Sequence, residues 1–325
     1  MYEGGPNPTQ VQFAPPAKAA NPPLPLVLIH DGGGTTFSYF ILGSLSRDVW
    51  AIHNPKYFDG LAWEGGMDEM ARTYLKFIVD EGLSGPIMLG GWSLGGFLSL
   101  TMAHLIAQNP DAYPISIAGL LVIDSPYHIA RSKVKEATSK AQLDTLPELV
   151  QKAFDNCDIM LQNWDLPQWN GGDGGKTKDM KVTIGGQKFK LQPSQVLYKP
   201  SDGDHQTWNT IETKPFERKG EDSTLAAGSP PPAVLIRCTK PAKAKDDTQG
   251  LPCLIDLHRE ERLLGWEGRY ASFIKAVIDV DADHYGIFDR MDSERMDRIT
   301  ERLAWGLEVL DGLEVKEKKK VLGVF

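Results

Sequence analysis

The stretch Pro86-Ile87-Met88-Leu89-Gly90-Gly91-Trp92-Ser93-Leu94-Gly95-Gly96-Phe97 decides how this chain is to be read. A short apolar run, PIML, leads into it, and a longer one, Phe97 to Ala107 (FLSLTMAHLIA), leads out. The first has the length and composition of a buried strand and the second of a buried helix. Between them, Gly91-Trp92-Ser93-Leu94-Gly95 matches G-x-S-x-G, the pattern that holds a serine on a sharp, strained strand-to-helix turn. Glycines flank such a serine because strand and helix approach too closely for side chains. The bland alternative is a glycine-rich turn carrying a surface serine. The flanking elements favour a nucleophile at Ser93.

Outward from this turn, strands and helices alternate in two blocks. Pro25–His30 (PLVLIH) reads as a buried strand ending in the Gly-rich turn Asp31-Gly32-Gly33-Gly34, and Val49–His53 as a weaker strand. Met67–Asp80 has apolar residues at helical spacing and is closed by Gly82 and Gly85-Pro86. Ile117–Ile123 is a further buried strand. The alternation resumes with strands at Ala233–Cys238 and Ile274–Val280 and an amphipathic helix over Met296–Leu310. Such alternation predicts an α/β protein with a mostly parallel, doubly wound sheet covered on both faces.

Between the blocks lie roughly 100 residues, too many for a plain connection. A helix is expected around Ala141–Met160, then a polar, Gly-rich region in which Lys181–Ile184 and Gln187–Leu191 flank Gly185-Gly186 as a hairpin. The expected division is a disordered arm over 1–22, core over 23–130, a lid insertion over 131–229, core again over 230–312, and a solvated tail over 313–325. Between Gly171 and Lys190, five lysines, Lys176, Lys178, Lys181, Lys188 and Lys190, stand against two aspartates. They read first as a solvated hairpin, and otherwise as a docking surface for an acidic partner.

Composition narrows the partners. The 325 residues carry a formal charge of −8 at pH 7, against the basic balance usual in a nucleic-acid binder. No stretch approaches the length of a membrane span, and the Pro- and Gly-rich start has no signal-peptide run, so a cytoplasmic location is expected. The three cysteines, Cys157, Cys238 and Cys253, show no metal-like clustering.

A serine nucleophile needs a base, and on this strand–turn–helix architecture the order is serine, acid, histidine. His30 and His53 precede Ser93, and His104 lies in its own helix. His128 leaves no room for an acid before it, His205 sits in the polar insertion, and His258 lies in a charged segment read as a surface helix. His284 follows the last strand, where the base belongs. For the acid, Asp124 stands at the end of its strand, whereas Asp246 and Asp247 stand eight residues down a polar loop. Asp124 is the better placed, although an aspartate forming a turn with Ser125-Pro126 would look the same. An oxyanion hole would take one N–H from Leu94 and a second from the first Gly-rich loop, at Gly33 or its neighbour Gly32.

These motifs together resemble the thioesterase family associated with fungal polyketide and nonribosomal peptide synthases. The resemblance rests on His30-Asp31-Gly32-Gly33-Gly34 with Ser38-Tyr39, Asn54-Pro55, Gly90-Gly91-Trp92-Ser93, Ile123-Asp124-Ser125-Pro126 and Asp283-His284-Tyr285. It implies an α/β-hydrolase fold with a lid between acid and base, and it supports Asp124 as the acid. The chain departs from the family in its long polar lid and at Gly286-Ile287. The resemblance further implies a substrate held as a thioester on the phosphopantetheine arm of an acyl-carrier protein or carrier domain, or on coenzyme A. No metal or organic cofactor is expected. The outcome would be hydrolysis or cyclisation. The Met start and short arm fit a free-standing enzyme, and an excised domain would look much the same. An oxygen-ester hydrolase or a non-catalytic acyl-binding protein of the same fold are the rivals.

Overall fold

The computed structural model describes residues 4–143, 146–169, 180–202, 207–214, 216, 228–245, 250–289 and 291–313. In chain order the elements are β1 (Thr9–Gln12), β2 (Leu26–Ile29), α1 (Phe37–Phe40), β3 (Val49–Ile52), α2 (Gly66–Asp80), β4 (Gly85–Trp92), α3 (Leu94–Gln108) and β5 (Ile115–Ile123). They continue with α4 (Glu148–Leu161), β6 (Met180–Ile184), β7 (Gln187–Leu191), β8 (Gln195–Lys199), β9 (Asn209–Glu212), β10 (Ala233–Cys238), β11 (Ile274–Val280) and α5 (Ser293–Asp311).

Nine strands form one sheet in the order β1-β3-β2-β4-β5-β10-β11-β8-β9. The pairs from β3 through β8 are parallel, and antiparallel strands close both edges, β1 on β3 and β9 on β8. The central strands are apolar throughout because both faces are covered. Their side chains alternate between two cores. Val27, Ile29, Leu120, Val122 and Leu235 pack with α2 and α3. Leu26, Leu28, Leu121, Ile123, Val234 and Ile236 face the opposite way and pack with α5.

The expected disordered arm over 1–22 is corrected at Thr9–Gln12, which pairs with β3. Ala14 N–H donates to Asp48, and Asn7 Nδ2 donates to the His53 carbonyl at 2.8 Å. Three polar residues and Val11 at a sheet edge bind through the backbone, and a single valine is too little hydrophobic pattern to announce a strand. The expected lid over 131–229 is also too long, because β8 and β9 belong to the main sheet. The helix expected around 141–160 begins later, with Pro147 as its N-cap, since a proline inside the helix would remove a hydrogen bond. The tail expected from 313 lies outside the described residues except for Leu313.

The hairpin β6–β7 is a separate two-stranded sheet. Thr183 N–H donates to the Gly312 carbonyl, Gly185 N–H donates to Glu308, and Val182 bridges to Leu313. Here α5 ends, tied by the Asp311–Arg47 ion pair of 2.6 Å. Arg47 also donates to the Leu24 carbonyl, just before β2 starts. The hairpin therefore sits at the N-terminal ends of the parallel strands.

Candidate active site

Ser93, Asp124 and His284 follow β4, β5 and β11 at the carboxyl ends of the parallel strands, where open α/β sheets hold their ligands. Ser93 has φ 55° and ψ −115°, a strained conformation for a residue with a side chain. The neighbours allow it. A Cβ on Gly91 would lie 2.5 Å from the Ile29 carbonyl oxygen and 2.8 Å from Gly95 Cα. Ser93 N–H donates to the Ile123 carbonyl, and Ser125 Oγ donates to the Ser93 carbonyl. The buried Tyr39 hydroxyl donates to the Ile29 carbonyl and accepts from Trp92 N–H, which joins β2 to the turn.

His284 is buried, with Nε2 3.1 Å from Ser93 Oγ and Nδ1 2.7 Å from Asp124 Oδ2. Its imidazole thus stands between the serine hydroxyl and the carboxylate. Asp124 is fully buried and has φ 43°. Its Oδ1 accepts from Cys238 N–H at 2.8 Å and from Arg259 Nη1 at 2.6 Å, and its Oδ2 also accepts from Arg259 Nη2 at 3.0 Å. Burial alone would push this carboxyl up. The hydrogen bond with His284 and the Arg259 guanidinium outweigh it and hold the carboxyl well below the usual range.

Sequence reasoning missed Arg259. It lies in a segment whose charge density reads as a solvated surface, and the pattern does not say which arginine turns inward. The expected surface helix around His258 is corrected: the segment carries only a short 3₁₀ turn at Leu254–Asp256, and His258 is half-buried against Glu261.

On the other side of Ser93, Leu94 is the first residue of α3, where backbone N–H groups have no acceptor within the helix. Gly32, Gly33 and Gly34 pass beneath α4, close to Phe154, Val150 and Ala153 respectively. The Gly33 N–H is turned on the Asp31 carboxylate. Burial pushes that carboxyl up to about 6, against the opposing effects of Gly33 and His284.

A cavity of about 520 Å³ opens on Ser93 and His284. Its walls mix apolar side chains, among them Leu94, Phe97, Phe154 and Leu161, with charged ones such as Arg131 and Asp158, and its volume is that of small-molecule sites. His128 lies in this wall, its Nε2 donating to the Trp164 carbonyl, and burial holds it down to about 4. His30 bonds to Tyr74, and His104 to the Gln168 carbonyl, away from Ser93.

Asp246, Asp247 and His205 lie outside the described residues, as do Lys176 and Lys178. Lys181, Lys188 and Lys190 lie on β6 and β7, at the opposite end of the strands from Ser93. The 19 residues of α5 span about 28 Å between the His284 loop and that hairpin. Among the described residues, no helix is long and apolar enough to cross a membrane, and no three His, Cys, Asp or Glu side chains cluster as metal ligands.

A thioesterase-domain family profile matches residues 24–164. The probable thioesterase lcsE of Purpureocillium lilacinum is 42% identical over 314 residues, covering 94% of this chain and 96% of that protein. The probable thioesterase KK1J of Curvularia clavata is 43% identical over 291 residues, covering 89% of this chain and 91% of that protein. Among solved structures, a holo four-domain nonribosomal peptide synthetase bound to AMP and glycine matches with a TM-score of 0.51 at 16% identity. That match covers 90% of this chain and 20% of the synthetase, and it is a likeness of fold. The sheet, its helices and these matches together are those of an α/β-hydrolase fold.

Proposed function

The chain belongs to the thioesterase family, and from that premise we propose that it is a serine thioesterase releasing an acyl chain from a phosphopantetheine thioester. The observation that carries the mechanism is the continuous contact from Ser93 Oγ through His284 to Asp124. His284 Nε2 takes the hydroxyl proton as Ser93 Oγ attacks the thioester carbonyl. Asp124 keeps Nδ1 protonated and stabilises the imidazolium that forms. The oxyanion is held by N–H groups of Leu94 and Gly33, the latter once Asp31 releases it. Collapse of this intermediate breaks the carbon–sulfur bond, and His284 returns its proton to the departing thiolate. The acyl group is left as an ester on Ser93. Water, or a hydroxyl or amine of the acyl chain, then attacks that ester by the same steps in reverse and gives a free acid or a ring.

The acyl chain occupies the cavity beneath α4, so α4, rather than the hairpin, is the lid element over the site. The substrate arrives on an acyl-carrier protein, on a carrier domain of a polyketide or nonribosomal peptide synthase, or on coenzyme A. The relatives named as probable thioesterases support a thioester substrate. The test is a comparison of a carrier-bound acyl thioester with the matched oxygen ester, using wild type and Ser93→Ala. Faster thioester turnover, lost in Ser93→Ala together with fluorophosphonate labelling, is expected. Equal or faster oxygen-ester turnover would make the chain an esterase. An unlabelled wild type would make it a binding protein.

A further inference from the structure

The group behind His284 is not one carboxylate but three buried charges. Arg259 forks onto both oxygens of Asp124 and donates through Nε to Asp256 Oδ1 at 2.8 Å. Arg259 Nη1 also reaches the Cys238 carbonyl, and Asp256 Oδ2 accepts from Ala242 N–H. Asp124, Arg259 and Asp256 are 0%, 4% and 6% exposed. With Cys238 N–H and the His284 ring added, the two oxygens of Asp124 accept four hydrogen bonds, about all that a carboxylate can take. The carboxylate therefore cannot rotate.

This arrangement has a cost if only geometry is considered. A guanidinium bound to both oxygens cancels the negative charge that should stabilise the imidazolium, which is the acid's electrostatic task. Asp256 on the far side of the guanidinium restores it. Two carboxylates against one guanidinium leave one net negative charge, as a lone carboxylate would.

We propose that Arg259 and Asp256 are positioning residues of the site, Arg259 locking Asp124 in place and Asp256 restoring the negative charge that Arg259 takes from it. The proposal rests on the Ser93–His284–Asp124 reading above. The Asp256 carboxylate bonds to Arg259 and the Ala242 N–H, not to Ser93 or His284, so it acts on the imidazolium by its charge and by holding Arg259. Among the described residues, other charged or titratable groups near His284 include Asp31 across the Ser93 side, Cys238 at the end of β10, Asp283 and Tyr285 in its own loop, and Arg295, whose Nη1 donates to the Gly286 carbonyl. Burial pushes the Asp31 carboxyl up to about 6, so it would add its own pH dependence and the measurement belongs in an Asp31→Asn background.

The experiment follows the rate of fluorophosphonate labelling of Ser93 against pH, and reads the midpoint of the acid limb. Removing the negative charge, Asp256→Asn, leaves the imidazolium less supported and moves the limb to lower pH. Removing the positive charge, Arg259→Gln, moves it to higher pH. A unit charge roughly 10 Å away shifts a midpoint by about one pH unit at an effective dielectric near 20. The charge-balanced double variant Asp256→Asn with Arg259→Gln returns the midpoint towards the background value, with a slower plateau because Asp124 is no longer locked. A merely structural pair would lower the plateau and leave every midpoint in place, and that result overturns the proposal. So do two single variants that shift in the same direction. Should either single variant fail to fold, the other still reports its sign. Failure of the serine reading shows itself separately, as a background protein that is not labelled at any pH.

Discussion

The Tyr39 hydroxyl lies 3.0 Å from the Trp92 backbone nitrogen, so a side chain of α1 holds the residue immediately before Ser93. The same hydroxyl donates to the Ile29 carbonyl at 2.7 Å. Tyr39→Phe keeps the ring and leaves both backbone groups buried without this partner. Loss of roughly 1–3 kcal/mol of stability is expected. The turn loosens as well, so turnover should fall more than substrate affinity. Urea unfolding together with kcat and KM checks this, and an unchanged kcat would show that the turn needs no such tie.

Asp124→Asn should lower turnover by about 10⁴, the loss seen when a related triad holds its histidine in the wrong tautomer. It also leaves the buried Arg259 without its full partner, so a stability loss of about 3–5 kcal/mol accompanies it. Changing Asp246 and Asp247 together should do neither. Steady-state kinetics with thermal unfolding of both variants would reveal the reverse ranking if the acid lies after β10.

Burial lifts the Asp31 carboxyl from 3.8 to about 6, so the folded protein holds that proton more tightly than the unfolded chain does. As pH rises from about 4 to about 6, the unfolded state loses its proton first, and this residue's contribution to stability declines. Above that window the decline levels off. Asp31→Asn cannot titrate, so its stability should gain on wild type through the window and then run parallel. Denaturant midpoints of both proteins from pH 4 to 8 give the difference directly. A constant gap would mean that the Asp31 carboxyl is not perturbed.

Replacing Lys181, Lys188 and Lys190 with Gln should leave the KM for a carrier-bound thioester unchanged at low salt. The hairpin carrying them is fixed to the end of α5 remote from Ser93. An increase in KM that vanishes with added salt would show that carriers reach the site from that side after all.

Much of this architecture was legible because it depends on local patterns. The strand at Ala233–Cys238 and the one at Ile274–Val280 are continuous apolar runs, and the Gly91–Gly95 spacing marks the turn. Chain order and its place after the last strand pointed to His284, and the structure brings it to Ser93 and Asp124. What stayed hidden depends on partners distant in sequence. β1 is held by backbone pairing to β3, and nothing in Thr9-Gln10-Val11-Gln12 requires that partner. Arg259 sits among Glu260, Glu261 and Arg262, and only the enclosed carboxylates of Asp124 and Asp256 distinguish it from its neighbours.

The three groups around Ser93 come from strands laid down far apart in time as well as in sequence. β4 and β5 are neighbours in both chain and sheet, whereas β11 joins only after β10, and its loop brings His284 to an aspartate 160 positions earlier. Contacts of such long range are late to form in folding. A growing or partly refolded chain can therefore bury Ser93 and Asp124 before His284 reaches them. Capture of Ser93 by an activated phosphonate would then work as a clock, with its onset marking the docking of the last parallel strand rather than the first collapse of the sheet.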